Sequence, residues 1–185
     1  MLLETARLFL RPFQLQDYSH LHSRHHPTIA SHPDHEMTLF DELDLFLTEP
    51  KNHPLEKQIR IALILKEKQA LIGDLTVTYR DKALALSFTT QPEYQKQGFM
   101  HEALTAFLPY LQNHYPALEI VCLVPKNNQI SQQLLENLNF VPVQYLSDFD
   151  CHLYTRKNEQ IKTTVKRKIV QRLFSLGVYL LGRGK

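Results

Sequence analysis

The stretch QPEYQKQGFMHEAL, residues 91–104, places a glycine between a strand-like segment and a helix-like segment. The first amides of a helix have no partner within the helix, and such amides bind anions, phosphate and diphosphate above all. Gly98 would let the backbone at this junction come close to such a ligand, and Lys96 adds a nearby positive charge. The segment therefore indicates an anion site, and a plain turn is the alternative that it leaves open by itself.

A second polar segment, KNNQISQQLLENLN, follows a continuous apolar strand roughly 30 residues later. Asn128 suits the residue that caps the start of a helix, and Asn139 suits the left-handed residue that ends one. Ser131 in the first turn could carry chemistry or simply face water. The patterns G-x-G-x-x-G and G-x-x-x-x-G-K-(S/T) do not occur in the sequence, which argues against the Rossmann and P-loop folds.

Hydrophobic periodicity predicts the elements that hold these segments in place. Strands are predicted at residues 7–13, 59–66, 70–80, 83–90, 118–125, 140–146 and 151–157, and helices at 15–26, 38–49, 101–115 and 130–140. The strands at 59–66 and 70–80 predict a hairpin. The step from 83–90 through a helix to 118–125 predicts a parallel, right-handed β-α-β unit. Pro109 is expected to kink or shorten its helix, at a cost of about 3 kcal/mol.

Together the two polar segments resemble the motifs of the GNAT superfamily, the Gcn5-related N-acetyltransferases. The stretch QKQGFM is similar to the acetyl-CoA loop (Q/R)-x-x-G-x-(G/A), except that Met100 replaces Gly or Ala. Asn128 and Ser131 match N-x-x-S, and Asn139 stands where the family's helix ends in glycine. The opening LETARLFLRPFQLQD resembles the branch typified by ribosomal-protein N-terminal acetyltransferases. The resemblance covers about residues 1–155.

The resemblance implies an α/β fold with a mixed, mostly antiparallel central sheet and helices on both faces, the GNAT-like acyl-CoA N-acyltransferase fold. It assigns residues 1–157 to this domain and leaves residues 158–185 as a basic amphipathic helical extension. The implied reaction moves an acetyl group from acetyl-CoA, a co-substrate, to a primary amine by direct attack. The acceptor would be a peptide N-terminus or a small-molecule amine. The alternative is a catalytically degenerate CoA-binding domain that acts as a sensor or scaffold, since Leu135 stands near the position where many relatives carry a tyrosine acid.

The resemblance also implies roles for individual residues. Backbone amides from Phe88 to Thr90 would hold the pantetheine arm and the thioester carbonyl, and amides from Gln97 to His101 would bind the diphosphate. Ser131 is the predicted catalytic residue, as the proton donor to the leaving sulfur or its water relay. The complete predicted cofactor-binding set is Phe88, Thr89, Thr90, Gln95, Lys96, Gln97, Gly98, Phe99, Met100, His101 and Asn128.

No motif identifies the general base. Asp74 on the second strand of the hairpin is a candidate, and an ordinary strand acid is the alternative. Glu102 more simply favours the dipole of the helix that it begins, and Glu93 is expected to face water. Carboxylates near a site are often bystanders, so the base is left open.

Six histidines fall within 16 residues, at His20, His22, His25, His26, His32 and His35. Zinc sites need three or four ligands from rigid elements, often with cysteine or carboxylate. Prolines interrupt this segment and no cysteine lies near it, so no metal is predicted. The resemblance to GNAT proteins, in which the region between the first two strands shapes the acceptor pocket, implies a polar loop on the acceptor side, where histidine charge near neutral pH would affect the choice of amine.

The composition is that of a soluble globular domain, with 43% hydrophobic and 22% charged residues among 185. No apolar run is long enough to span a membrane, and the N-terminus lacks a signal-peptide core, so a cytoplasmic location is expected. Cys122 and Cys151 lie in strand-like runs and are predicted to be buried free thiols.

Positive charge is concentrated at the C-terminus. Residues 161–185 hold seven of the 21 Lys and Arg and none of the 19 acids, which leaves 14 basic against 19 acidic residues before them. The body is therefore not predicted to bind nucleic acid. The tail is predicted to form an amphipathic helix. This helix would dock on its own domain, form a homodimer, or make weak contact with an anionic membrane surface.

Overall fold

The computed structural model describes residues 3–14, 16–17, 58–80 and 83–156. The predicted helix 38–49, the six histidines and the basic tail lie outside the described residues, as does the predicted helix 15–26 apart from residues 16–17. The described residues form one sheet of eight strands in the order β1-β2-β3-β4-β5-β6-β8-β7. No helix in these ranges is long and apolar enough to cross a membrane.

The strands are β1 (Leu3–Glu4), β2 (Leu8–Pro12), β3 (Gln58–Leu65), β4 (Ala70–Arg80), β5 (Ala83–Thr90), β6 (Glu119–Pro125), β7 (Phe140–Leu146) and β8 (Cys151–Arg156). The helices are α1 (Phe99–His114) and α2 (Gln129–Asn137), and short 3-10 turns lie at Pro92–Tyr94 and Ser147–Phe149. Every neighbouring pair of strands is antiparallel except β5 and β6, which run parallel and are joined through α1. The predicted hairpin, the β-α-β unit and the mixed, mostly antiparallel sheet are confirmed.

Alternation along the strands gives the sheet two different faces. One face is apolar and packs against α1 and α2 in a single core that includes Leu8, Leu10, Ile61, Leu63, Leu75, Leu84, Leu104, Phe107, Leu108 and Leu135. Both described helices lie on this face. On β3 and β4 the opposite face carries polar residues, among them Arg60, Asp74 and Thr76.

Pro109, which was expected to kink or shorten α1, does not shorten it. The helix continues from Phe99 to His114, with Pro109 exposed. Leu108 and Leu111 beside it are fully buried. Packing of this apolar side therefore holds the helix through a residue that cannot donate a backbone hydrogen bond.

Two local predictions are confirmed. Asn139 has a φ of +64° just after α2, in the left-handed region that asparagine tolerates. Cys122 and Cys151 are both buried free thiols, and burial raises the pKa of each. A buried thiol with a raised pKa is unreactive, so both cysteines belong to the core.

Candidate active site

Strands β5 and β6 separate partway along their length. Their register pairs are Ala83 with Glu119, Leu84 with Ile120 and Ala85 with Val121. β5 nevertheless continues to Thr90 and β6 to Pro125. The β5–β6 gap, defined as the space between residues 86–90 and 122–125, opens at the carboxyl ends of two parallel strands, where α/β sheets usually bind their ligands.

The backbone of β5 offers hydrogen-bonding groups to this gap. The N–H of Gln91 donates to the carbonyl of Ile72 in β4 at 2.8 Å, and β5 pairs with β4 in unbroken register. Because amides alternate sides along a strand, Thr89 directs its N–H toward β4, whereas Phe88 and Thr90 direct theirs into the gap. An extended ligand can bond to such amides as an added strand would.

Helix α1 begins shortly beyond the gap. Gly98 occupies its N-cap position at a φ of +79°, and no side chain caps the helix among the described residues. The N–H of Glu102 donates to the Gly98 carbonyl at 3.0 Å, which leaves the amides of Phe99, Met100 and His101 open to an anion. A Cβ on Gly98 would make only ordinary contacts, the nearest at 3.5 Å, so it is the left-handed backbone that requires glycine here.

Met100 does not obstruct this helix start. Its side chain is 8% exposed and belongs to the core, as does that of Phe99. The motif prefers a small residue at this position because the loop approaches its ligand closely. With the Met100 side chain turned inward, its amide can still face an anion.

Two glutamine side chains brace the loop before α1. Gln95 donates from Nε2 to the Thr90 carbonyl at 3.0 Å, and Gln97 donates from Nε2 to the Glu93 carbonyl at 2.8 Å. Lys96 is exposed and adopts a φ of +59°. The glutamines thus hold the loop backbone in shape, while Lys96 and the open amides of α1 supply positive potential.

Thr5, Arg7 and Glu102 form a cluster that ties the turn between β1 and β2 to the start of α1. Glu102 accepts hydrogen bonds from Thr5 Oγ1 at 2.6 Å, from the Arg7 backbone N–H at 2.7 Å and from Arg7 Nε at 2.6 Å. Arg7 also donates to the Gln97 carbonyl at 3.1 Å and lies 4.3 Å from the centre of the Phe99 ring. Sequence reasoning missed this cluster because 95 residues separate Arg7 from Glu102, and no local pattern links them.

An open cavity of about 580 Å³ adjoins this cluster and Gly98. It is lined by Glu4, Thr5, Arg7, Gly98, His101, Glu102, Thr105 and Ala106. The cavity therefore leaves room beside the open amides of α1 for the remainder of a ligand whose anionic group binds there.

The start of α2 brings the second polar segment toward the same gap. Asn128 Oδ1 accepts a hydrogen bond from the Ser131 N–H at 3.1 Å, which confirms the predicted N-cap. Glu136 accepts a hydrogen bond from Tyr154 Oη on β8 at 3.1 Å, and Ser131 lies about 140° around the helix axis from Glu136. Ser131 therefore projects from a different side of α2 than the one that faces Tyr154. Leu135 is fully buried and contributes packing alone.

A family model for the acetyltransferase (GNAT) domain matches residues 7–141. The chain belongs to the GNAT acetyltransferase family. The solved structures that it resembles include an acetyltransferase (GNAT family) from Bacillus anthracis, with a TM-score of 0.60 and 18% identity over 86% of this chain and 100% of that one.

Two further GNAT neighbours have more specific names. A ribosomal-protein-S5-alanine acetyltransferase from Vibrio fischeri aligns with a TM-score of 0.58 and 16% identity, over 88% of this chain and 100% of that one. A spermidine N-acetyltransferase chimera from Vibrio cholerae and hSSAT aligns with a TM-score of 0.59 and 20% identity, over 84% and 98%. Identities this low show a shared fold alone. A comparison with curated protein sequences gave no match.

In this GNAT domain the candidate base Asp74 lies in a buried ion pair. Asp74 is 6% exposed, and its Oδ2 lies 3.0 Å from Nε of Arg60. Its Oδ1 accepts a hydrogen bond from the hydroxyl of Thr89 on β5. Both oxygens of the carboxylate are thus engaged, and Thr89 stands between Asp74 and the gap.

Glu102→Gln is expected to destabilise the GNAT domain by about 2 kcal/mol near neutral pH, because hydrogen bonds to a charged group are worth about 1.5–3 kcal/mol. Burial raises the pKa of Glu102, but hydrogen bonds from Thr5 and Arg7, together with the Arg7 charge, outweigh it and hold the pKa below its ordinary value. The stabilisation is therefore present above the unfolded-state pKa and is lost as pH falls through the lower folded-state pKa.

Urea unfolding at several pH values between about 3 and 7 measures this dependence. The variant should lose part of the acid-side slope of the wild type. Glu93→Gln is the matched control, since Glu93 is exposed on the turn before α1, and it should keep the full slope. A Glu102→Gln profile parallel to that of the wild type would contradict the prediction.

Proposed function

We propose that this chain transfers an acetyl group from acetyl-CoA to a primary amine by direct attack of the amine on the thioester. The observation that carries the proposal is the succession of the β5–β6 gap and the open helix start at Gly98 along one stretch of chain. Residues 86–90 lead through the turn Pro92–Tyr94 into the loop before α1. A pantetheine arm lying along β5 would reach that helix start with its diphosphate.

The proposed contacts use groups along the gap and at the starts of the two helices that follow its strands. The amides of Phe88 and Thr90 would bond to the pantetheine arm and polarise the thioester carbonyl, since donors aimed at a developing oxyanion lower the barrier to acyl transfer. The amides of α1 from Phe99 to His101 would bind the diphosphate. Asn128 uses Oδ1 to cap α2, and its Nδ2 would donate to an amide carbonyl of the pantetheine arm.

The proposed reaction proceeds through a single displacement. The neutral amine nitrogen attacks the thioester carbon, the C–S bond breaks, and the nitrogen loses one proton. The departing thiolate gains one proton, so the products are an N-acetylated amine and the free thiol of CoA. Ser131 lies in the first turn of α2, the helix that follows the carboxyl end of β6, and its hydroxyl would donate that proton directly or through a water.

A CoA-binding domain without turnover is the second candidate. Leu135 favours it, because this residue is fully buried near the position where a tyrosine acid would act. Without a phenol there, proton donation depends on Ser131. The two functions differ in turnover and agree in CoA binding, so they need separate measurements.

Binding is tested by thermal unfolding with acetyl-CoA and with acetyl-pantetheine, which lacks the nucleotide and its diphosphate. A ligand at about 100 times its Kd stabilises by about 2.7 kcal/mol, or about 5–10 °C in a domain of this size. Acetyl-CoA should give this shift and acetyl-pantetheine a much smaller one. Equal shifts of the melting temperature with the two ligands would contradict a diphosphate site at the start of α1. The absence of any shift with acetyl-CoA would contradict the proposed function.

Turnover is tested by free-thiol release with a panel of spermidine, an Ala-initiated hexapeptide and a Ser-initiated hexapeptide. Ser131→Ala is expected to lower kcat by about 100-fold or more and to leave the KM for acetyl-CoA unchanged, because a proton donor acts on the chemical step and not on cofactor binding. Ser147→Ala, on an exposed turn, is the matched control and should behave as the wild type. A full rate in Ser131→Ala would exclude the proton-donor role, and binding without any thiol release would favour the second candidate.

A further inference from the structure

The hydroxyl of Thr89 is held by a buried ion pair on the polar face of the sheet. Thr89 Oγ1 donates to Asp74 Oδ1 at 2.5 Å, and Asp74 Oδ2 pairs with Arg60 Nε at 3.0 Å. The side chains of Arg60 and Asp74 are each 9% exposed. The Arg60 guanidinium also lies 4.7 Å from the centre of the Phe13 ring. Contacts on both sides of the ion pair thus fix the carboxylate to which Thr89 donates.

This arrangement decides what the Thr89 hydroxyl can do. A hydroxyl has one proton to donate and two lone pairs that accept. The carboxylate of Asp74 can only accept while it pairs with Arg60, so the single proton of Thr89 is committed to it. Toward any other group, Thr89 Oγ1 can act only as an acceptor.

Thr89 also occupies a specific place beside the gap. Its neighbours Phe88 and Thr90 direct their amides into the gap, so a thioester bound to those amides lies within about one residue, or about 3.4 Å of strand, from Thr89. The Thr89 side chain projects from the polar face, because β5 pairs Thr89 with Asp74. Within the described part of the chain both helices pack on the other face, so the route that we assign to a second substrate is the polar face, from which the Thr89 side chain projects.

We propose that Thr89 Oγ1 accepts a hydrogen bond from the N–H of the attacking amine and so turns the nitrogen lone pair toward the thioester carbon. This inference rests on the proposed function. As the nitrogen attacks it gains positive charge, which an oxygen backed by the Asp74 carboxylate stabilises. Asp74 then acts through Thr89 and keeps its partner Arg60, a different role from that of the general base considered from the sequence.

The test compares Thr89→Val, which removes the hydroxyl at nearly constant size, with Thr89→Ser, which keeps it. Thr78→Val is the matched control, since Thr78 is a buried threonine on β4 that lies on the same polar face of the sheet as Thr89. Thiol release is measured with the fastest amine among spermidine, an Ala-initiated hexapeptide and a Ser-initiated hexapeptide. Melting temperatures of all variants, with and without acetyl-CoA, establish that each folds and binds the cofactor.

Thr89→Val is expected to lower kcat/KM for the amine by about 10- to 100-fold, the worth of one hydrogen bond to a charged group. The KM for acetyl-CoA should stay within about twofold of the wild-type value, and Thr89→Ser should recover most of the rate. A Thr89→Val rate equal to that of Thr78→Val would overturn the inference. So would a loss that appears in the KM for acetyl-CoA alone.

Failure of the proposed function gives a different result in the thiol-release assay from failure of the role of Thr89. In that case the wild type itself releases no thiol with any of the three amines, and the inference falls together with the reaction. If the wild type turns over and Thr89→Val does so equally well, only the role of Thr89 is rejected. The wild-type measurement therefore separates the two outcomes.

Discussion

Gly73→Ala is expected to weaken acetyl-CoA binding by at least about 10-fold and to destabilise the fold by about 1–3 kcal/mol, the usual cost of forcing extra atoms into a packed region. A Cβ on Gly73 would lie 2.3 Å from the Thr89 carbonyl oxygen and 3.2 Å from the Thr90 Cα. Both contacts are with backbone of β5, which cannot yield by a side-chain rotation. The strand itself has to shift, and its far side borders the β5–β6 gap.

The local structure of β4 explains why this contact is so close. The register between β3 and β4 shifts opposite Leu63 and Ile64, which leaves Ile72 as an extra residue beside Gly73. Such a bulge bends its strand, and here the bend brings Gly73 against the end of β5 that carries the proposed thioester contacts. Gly73 thus sets the position of one wall of the gap.

Isothermal titration with acetyl-CoA and urea unfolding measure the two effects of Gly73→Ala separately. Gly98→Ala provides a contrast for the unfolding measurement alone, because its Cβ would meet no atom closer than 3.5 Å and its cost of about 1–2 kcal/mol comes from the left-handed backbone. A lower free energy of unfolding shows only that the fold is strained, so the change in acetyl-CoA affinity is what tests the position of the gap. Unchanged acetyl-CoA affinity in a folded Gly73→Ala variant would show that β5 does not border the cofactor.

Arg60→Met is expected to lower the free energy of unfolding by about 3–5 kcal/mol, because removing one partner of a buried ion pair leaves the other charge uncompensated. The side chains of Arg60 and Asp74 are each 9% exposed, so water cannot replace the lost partner. Arg60→Met with Asp74→Asn should recover part of the loss, since the amide carries no charge and still offers an oxygen to Thr89.

Urea unfolding at neutral pH measures these differences. Lys66→Met is the matched control, since Lys66 pairs at 2.6 Å with Glu4, whose side chain is 63% exposed. A surface pair of this kind is worth about 0–1 kcal/mol. Equal losses for Arg60→Met and Lys66→Met would mean that the Arg60–Asp74 pair is as well solvated as a surface pair.

Much of the fold is predictable from short stretches of sequence. The period of an element predicts which of its side chains are buried. This holds for the apolar alternation in β3, β4 and β5 and for the helical spacing of Leu104, Leu108 and Leu111 in α1. The positive φ of Asn139 is equally local. Pro109 is the exception, because burial of the α1 side chains around it outweighs the preference of a single residue.

The candidate site is predictable only in part. The strand–loop–helix order around Gly98 and the N-cap at Asn128 follow from neighbouring residues, so the sequence identifies them. The sequence predicts the amides of Phe88, Thr89 and Thr90 as one binding group and does not show that they alternate between the two sides of β5. The alternation emerges once β4 is known to be the neighbour, because the partner strand determines which amides are already used.

By itself the sequence determined the order of the described strands and α-helices from β2 to β8, their buried sides and the glycine that begins α1. Only the tertiary structure decided that β5 and β6 part after three residue pairs, that Arg7 reaches Glu102, and that Asp74 holds both Arg60 and Thr89. Backbone preference and periodicity act over a few neighbouring residues, whereas these contacts depend on strand register between segments far apart in the chain. Register is a property of the packed sheet, and it places the polar side chains beside the gap.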